Sequence, residues 1–115
     1  MPSLRTYVGQ HPTEVFKNAI VKAKFESLLG KDYELFYTSL SVSNALTESE
    51  NFYLGEGCMP HACDEAGAAF TISKSTGALA AAMLMKGGTF LYFGADSIRD
   101  LPPPLYDWYK EQGGQ

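Results

Sequence analysis

Residues 53–73, YLGEGCMPHACDEAGAAFTIS, predict the central hairpin of the fold. Aromatic, β-branched and small residues favour one strand over residues 52–55 and a second over residues 66–73. The segment between these strands contains Cys58 and Cys63, the only two cysteines of the chain. We therefore predict that the two cysteines enclose the tip of an antiparallel hairpin.

Short turns extend this hairpin into a meander. The turn segments KSTG (74–77) and KGG (86–88) separate two further apolar stretches at residues 78–85 and 89–93. Turns of this length join neighbouring antiparallel strands. The alanines at 78–82 would suit a helix by propensity, but their position between two hairpin turns favours a strand close to a covering helix.

Before the hairpin, residues 12–29, PTEVFKNAIVKAKFESLL, predict one long amphipathic helix. Pro12 suits the first helical position, and Gly30 is placed to end the helix in a left-handed conformation. The apolar residues that recur at helical spacing are Phe16, Ile20, Ala23, Val21, Phe25 and Leu28.

The stretch that follows, YELFYTSLSV (33–42), predicts a strand. Its aromatic and β-branched side chains nearly alternate with polar ones, which is typical of a half-buried strand. Residues 43–51 are polar and predict a loop. At the end of the chain, residues 103–110 predict a short helix that begins with proline and has Leu105, Trp108 and Tyr109 on one side.

Composition and element order predict one α+β domain over residues 1–115. The chain is 45% hydrophobic and 19% charged, which leaves enough apolar surface for a core. We expect an antiparallel sheet of about five strands, with a long N-terminal helix and a short C-terminal helix packed on one face. Residues 1–10 and 112–115 are expected to be flexible.

Charge and hydropathy argue against two classes of partner. The net charge is −4 and no run of lysine or arginine occurs, whereas a nucleic-acid-binding protein needs a basic patch. No stretch approaches the roughly 20 apolar residues that span a bilayer. The opening residues, MPSLRTYVGQ, lack the apolar segment of a secretion signal. An acidic surface favours a basic protein partner.

The spacing of the cysteines suggests a role in shaping the tip. If Cys58 and Cys63 are joined, a ring of about six residues adds only roughly 2 kcal/mol of stability. Within such a ring Pro60 fixes its own φ and restricts Met59, so His61 would be presented on a rigid projection. A rigid side chain fills a cleft without the ordering cost of a flexible one, about 0.5–1.5 kcal/mol.

Several alternatives to this interpretation stay open from the residues alone. The cysteines could be reduced and inert, with His61 an ordinary surface histidine. A zinc site would have to use Cys58, His61, Cys63 and His11, and their spacing matches none of the common zinc patterns. A thiol redox centre usually has two residues between its cysteines, where this chain has four. A stable disulfide would imply an oxidising compartment.

No constellation of residues predicts catalysis or a bound cofactor. A cysteine nucleophile needs a base within hydrogen-bond reach, and a thiol in a disulfide cannot attack. The glycines near residues 55–57 and 86–88 suit turns and bulges rather than a phosphate-binding loop. We therefore predict no catalytic residues, no metal ligands and no cofactor.

The segment CMPHAC (58–63) resembles the Cys-X-Pro-His-X-Cys loop of the Ivy family, bacterial inhibitors of vertebrate lysozyme. The order of helix, strand pair around the loop and following strand is similar from about Asn18 onward. The resemblance implies a periplasmic α+β protein, commonly a homodimer, that is secreted across the inner membrane. It further implies that the loop enters the active-site cleft of a C-type lysozyme and occludes it, with no catalysis.

By this resemblance, Cys58 and Cys63 form the loop disulfide, Pro60 shapes the loop, and His61 is the key inhibitory side chain. Met59 and Ala62 complete the inhibitory loop. Lysozyme has two carboxyl groups about 5–5.5 Å apart at the scissile bond. An imidazole can hydrogen-bond both groups through its two opposed nitrogens.

Two loop positions depart from the best-known form of the family. That form has lysine after the first cysteine and aspartate after the histidine, where this chain has Met59 and Ala62. The partner is therefore predicted to be a C-type lysozyme or a related cell-wall lytic enzyme. The rival hypotheses are a redox or metal-binding protein that uses Cys58 and Cys63, and a periplasmic protein with the Ivy fold that has lost inhibition.

Overall fold

An antiparallel sheet forms the centre of the protein in a computed structural model that describes residues 4–63 and 65–114. The strands run in the order β1-β3-β4-β5-β6, and β2 pairs with β3 beside β1. From β3 to β6 each strand pairs with the next, so the predicted meander is confirmed. The strands are β1 (Val42–Ser43), β2 (Thr47–Glu48), β3 (Phe52–Cys58), β4 (Gly67–Ser73), β5 (Leu79–Met85) and β6 (Thr89–Phe93).

The β3–β4 hairpin has the predicted position and carries the cysteine segment at its tip. Its register runs from the pair Phe52 and Ser73 to the pair Cys58 and Gly67. Strand β3 continues up to Cys58, which is beyond its predicted end at residue 55. A Cβ atom at Gly55 would overlap the ring of Phe70 on the paired strand, so glycine leaves room for this ring to lie over β3.

The predicted helix over residues 12–29 is divided into two. Pro12–Lys17 is a 3₁₀ helix and Ala19–Leu29 is the α-helix α1. Asn18 lies between them in an extended conformation, and its Oδ1 accepts hydrogen bonds from the backbone N–H groups of Ile20 (3.0 Å) and Val21 (3.2 Å). This N-cap satisfies the first donors of α1 and interrupts the helix at Asn18. The predicted end of the helix at Gly30, with φ of 53°, is confirmed.

The predicted strand over residues 33–42 is wrong, because Tyr33–Thr38 forms a second α-helix, α2. Tyr33, Phe36 and Leu40 are buried, and their spacing of three and four residues defines one face of a helix. Phe36 stacks on Phe25 of α1 with ring centroids 6.0 Å apart. Part of the predicted loop over residues 43–51 also pairs with β3, as β1 and β2.

The helices lie on both faces of the sheet, and the prediction that they pack on one face is wrong. On one face, α1 and α2 form a core with Phe70 and Met83. On the other face, α3 (Pro103–Glu111) packs through Leu105 and Trp108 against Ala69 and neighbouring residues of β5. The reason is that β4 and β5 are apolar at both sets of alternating positions, so both faces of the sheet must be covered.

The N-terminal segment is held against the first core. Leu4 is only 1% exposed, and residues Arg5–Tyr7 form a 3₁₀ helix. The Gly9 N–H donates to the carbonyl of Leu46 (2.9 Å), and the Leu46 N–H donates to the carbonyl of Gln10 (2.7 Å). Within the two predicted flexible segments, residues 1–3 and 115 lie outside the described part of the chain. None of the described helices is long and apolar enough to cross a membrane.

Candidate functional site

The tip of the β3–β4 hairpin is closed by a disulfide between Cys58 and Cys63, whose Cα atoms are 4.8 Å apart. The sequence hypothesis of a joined pair is thus confirmed, and the alternative of two reduced cysteines is wrong. Sulfurs bonded to each other cannot act as thiolate ligands of zinc. The other histidine considered for such a site, His11, instead contacts the carbonyl of Ser41 through Nε2 (3.0 Å).

Inside the ring, Met59 to Ala62 form a β-turn. The Ala62 N–H donates to the Met59 carbonyl (3.0 Å), with Pro60 and His61 at the two central positions. Proline fixes a negative φ at the first of these, and His61 has φ of 63° at the second. A negative followed by a positive φ is the signature of a type II turn, which favours proline at its first central position and usually glycine at its second.

His61 therefore occupies a backbone conformation that most side chains avoid. Among the described residues it is the only one other than glycine with a positive φ. The left-handed conformation costs an L-residue about 1–2 kcal/mol. Strained backbone of this kind is concentrated at functional sites, so the presence of histidine rather than glycine here points to a role for its imidazole.

A second set of hydrogen bonds fixes the base of the tip. The Ala62 carbonyl accepts from the N–H groups of Glu65 (2.9 Å) and Ala66 (2.8 Å). The Met59 N–H donates to the Ala66 carbonyl (3.1 Å), which extends the hairpin by one bond beyond the pair Cys58 and Gly67. The ring is therefore held by backbone hydrogen bonds as well as by the disulfide.

The side chain of His61 projects from this support. Pro60, His61 and Cys63 are exposed, while Met59 and Ala62 are half-buried. Neither ring nitrogen of His61 forms a hydrogen bond with any residue in the described ranges 4–63 and 65–114. Both nitrogens are thus available to a partner.

Strand β1 supports one side of the ring. Val42 pairs with Cys58, and the Cys58 Sγ lies 3.6 Å from the Val42 carbonyl oxygen. A Cβ atom at Gly57 would overlap the Ser43 side chain, so glycine lets β1 pack closely at the base of the tip. On this side Glu56 contributes a carboxylate, and the Asn44 amide nitrogen lies 3.5 Å from it.

The structure brings all six predicted loop residues together and adds others that the sequence did not single out. Leu35 of α2 and Met85 of β5 line a cavity with Met59 and Ala62. Because the sequence predicts a strand over residues 33–42, it does not place Leu35 next to the loop. The helical spacing of Tyr33, Phe36 and Leu40 is the signal that could have placed Leu35 on the outside. The six loop residues are Cys58, Met59, Pro60, His61, Ala62 and Cys63.

Comparison with known proteins identifies the family. The model of the family described as "Inhibitor of vertebrate lysozyme (Ivy)" matches residues 20–115. The chain belongs to the Ivy family. The match begins in α1 and takes in all six strands, the disulfide-closed tip and α3.

A relative and the solved structures add little to the Ivy assignment. The chain is 35% identical over 63 residues to a Sinorhizobium fredii protein named "Uncharacterized protein y4bG". The matched region covers 55% of this chain and 23% of that protein, so the chain spans less than a quarter of its length. No solved structure matches the chain. Because Ivy is a family of inhibitors, membership is consistent with a binding protein rather than an enzyme.

Proposed function

We propose that the protein inhibits a C-type lysozyme by inserting the disulfide-closed tip into the active-site cleft. His61 is the blocking residue, and the six-residue loop from Cys58 to Cys63 is the inserted segment. The observation that carries this proposal is the exposed imidazole of His61 on a left-handed turn inside the ring, with both nitrogens unengaged by the described residues. Inhibition is then reversible occlusion without a chemical step.

The chemistry of the imidazole fits the chemistry of the target. Lysozyme holds two carboxyl groups about 5–5.5 Å apart, and one of them is protonated in the active enzyme. The two opposed nitrogens of His61 can hydrogen-bond both groups at once. Negative charge nearby favours the imidazolium form, so the hydrogen bonds become charge-assisted and stronger as the complex forms.

The rigid tip lowers the entropic cost of this complex. An interface side chain that is ordered only on binding costs about 0.5–1.5 kcal/mol. In the free protein the backbone around His61 is already held by the disulfide and by the turn hydrogen bond from Ala62 to Met59. The loop backbone is therefore ordered before the partner binds, and only the His61 side chain has still to be ordered.

The acidic net charge supports a basic lysozyme as the partner, and the disulfide supports an oxidising compartment. The net charge of −4 complements a basic lysozyme and would raise the rate of encounter at low ionic strength. A disulfide persists in oxidising spaces, which is consistent with a protein secreted into the periplasm. The homodimer implied by the family resemblance stays a prediction, and sedimentation of the purified protein would test it.

The proposal is tested by measuring lysozyme activity against the purified protein and two variants. His61→Ala should abolish inhibition, because it removes the group that meets the two carboxyls. His11→Ala is the control for the loss of a histidine outside the ring, and its melting temperature is checked because the His11 imidazole contacts the Ser41 carbonyl and accepts from the Thr13 N–H. Equal inhibition by His61→Ala and the parent, or no inhibition by the parent, would reject the proposal.

Thiol exchange is a rival function that one observation favours. Cys63 is exposed, and an accessible disulfide can be attacked by an external thiolate. Structural disulfides have reduction potentials below about −300 mV, whereas those of catalytic disulfides lie at about −270 to −120 mV. A potential in the second range, together with an inactive inhibitor assay, would favour the redox function.

A further inference from the structure

An apolar cavity lies directly beside the inhibitory loop. One wall is formed by Met59 and Ala62 of the loop itself, and the other sides by Leu35, Leu84 and Met85. The cavity has a volume of about 320 Å³. We call it the loop groove, and its charged neighbours are Glu65 and Lys86.

The apolar character of the loop groove continues onto the exposed surface. Leu35 is 37% exposed and lies on the side of α2 away from the buried Tyr33 and Phe36. On the other side of the loop, Val42 is 50% exposed and pairs with Cys58. Leu35 and Val42 thus place exposed apolar atoms on two sides of the projecting tip, where a partner that takes up the loop would cover them.

The size of the loop requires such additional contacts. A stable protein–protein interface takes about 20–30 residues from each partner and buries roughly 800 Å² on each side. The loop supplies six residues from Cys58 to Cys63. A partner that binds the loop tightly must therefore also contact the protein surface around the loop. The loop groove is the part of this surface that lies nearest to the loop, because two of its wall residues, Met59 and Ala62, belong to the loop.

We propose that the loop groove receives an apolar side chain from the wall of the target enzyme's cleft, and that Leu35 and Met59 select the target by this contact. The inference rests on the proposed function, because it assumes that the loop enters a cleft. An apolar side chain seated against Leu35, Met59 and Met85 would exchange water for apolar contacts, and desolvated anchors of this kind contribute most to interfaces.

The same contact explains how the protein would discriminate among lytic enzymes. A target with a charged side chain facing the groove would lose hydration against the apolar atoms of Leu35, Met59 and Met85, and only Glu65 or Lys86, according to its sign, could compensate that loss. A target with leucine, valine or an aromatic residue at that place would be bound. Met59 is well suited to this role because its flexible thioether side chain adapts to apolar surfaces of different shapes.

The test compares binding of a purified C-type lysozyme to Leu35→Gln, Leu35→Ala and two matched controls, Ile20→Gln and Ile20→Ala. Ile20 is also an exposed apolar residue of a helix, at 55% exposure, and does not line the groove. Glutamine and alanine are both good helix formers, so the helices should be retained. Circular dichroism and melting temperature check each fold.

We expect both Leu35 variants to raise the Kd by about tenfold, with less than a twofold change for both Ile20 variants. If His61→Ala loses inhibition but the Leu35 variants bind like the parent, the groove contact is refuted and the proposed function stands. Dissociation of a homodimer by Leu35→Gln, with unchanged lysozyme binding, would show that the groove is covered by a second copy and would also refute the contact. A parent protein that fails to bind lysozyme refutes both proposals.

Discussion

The left-handed backbone at His61 allows the stability of the tip to be separated from its function. His61 has φ of 63°, is exposed, and forms no side-chain hydrogen bond within the described residues. The substitutions His61→Gly and His61→Ala both remove the imidazole, and neither breaks a packing contact of the core. They differ in how well the new residue tolerates the positive φ.

The size of this difference follows from the backbone preferences of the two residues. Alanine in the left-handed region carries a penalty of about 1–2 kcal/mol that glycine does not carry. Glycine in turn loses about 0.4–1 kcal/mol, because it makes the unfolded chain more flexible. His61→Gly should therefore be more stable than His61→Ala by up to about 1.6 kcal/mol, with a central value of about 0.8 kcal/mol, which corresponds to about 2–5 °C in melting temperature.

Urea unfolding is a suitable assay, because the single tryptophan, Trp108, is 3% exposed and its fluorescence reports on the core. Ala62→Gly provides the matched control on the neighbouring residue. Ala62 does not have a positive φ, so the same exchange of alanine for glycine should there lower the free energy of unfolding by about 0.5–1 kcal/mol. The sign of the effect should thus reverse between two adjacent positions.

Two results would contradict this reasoning. A His61→Gly protein that is less stable than His61→Ala would show that the turn is not left-handed at this residue in solution. Both variants should also fail to inhibit lysozyme. A His61→Gly protein that inhibits as well as the parent would show that the imidazole is not the blocking group, whatever the geometry of the turn.

Three further predictions concern the disulfide, a buried hydroxyl and an ion pair. Replacing both Cys58 and Cys63 by serine should lower the free energy of unfolding by about 2 kcal/mol, measured in urea, while inhibition is lost at concentrations where the protein is still folded; full potency would show that the ring does not preorganise the tip. Thr71→Val should raise the free energy of unfolding by about 1 kcal/mol, because Oγ1 of Thr71 is buried without a hydrogen-bond partner among the described residues. A loss of stability would mean that this hydroxyl has a partner in solution. A hydrogen bond from Lys74 lowers the pKa of Glu48, so their pairing contributes stability above the unfolded-state pKa of Glu48 and loses it as the pH falls through the folded-state value. Glu48→Gln should therefore be less stable than the parent at neutral pH and equally stable in acid, and a difference that persists in acid would contradict the assignment.

The disulfide excludes reduced cysteines and zinc thiolates in the resting protein, and it leaves thiol exchange to be tested by the reduction potential. The sequence alone left Cys58 and Cys63 as a joined pair, reduced residues, zinc ligands or redox thiols. A bonded pair at a hairpin tip leaves no thiolate for a metal or a nucleophile in the resting protein. What the sequence could not supply is the left-handed conformation of His61, because histidine at this turn position is unusual and no local rule predicts it.

The sequence by itself determined the hairpin, the meander and the last helix. These elements are specified by local signals: turn residues between β4 and β5 and between β5 and β6, proline at the start of α3, and a proline inside the cysteine ring. Such signals act over a few residues and depend little on the rest of the chain. For this reason the strands 79–85 and 89–93 and the helix 103–111 lie within one residue of their predicted bounds.

Only the tertiary structure decided that residues 33–38 are helical and that the helices cover both faces of the sheet. In so short a segment the aromatic residues satisfy both an alternating and a helical pattern, so the local sequence is ambiguous. Packing removes the ambiguity, because only a helix directs Tyr33 and Phe36 together towards Phe16, with ring centroids 6.0 and 6.5 Å away. The same helix leaves Leu35 exposed beside Met59. The loop groove therefore depends on the helical conformation of residues 33–38.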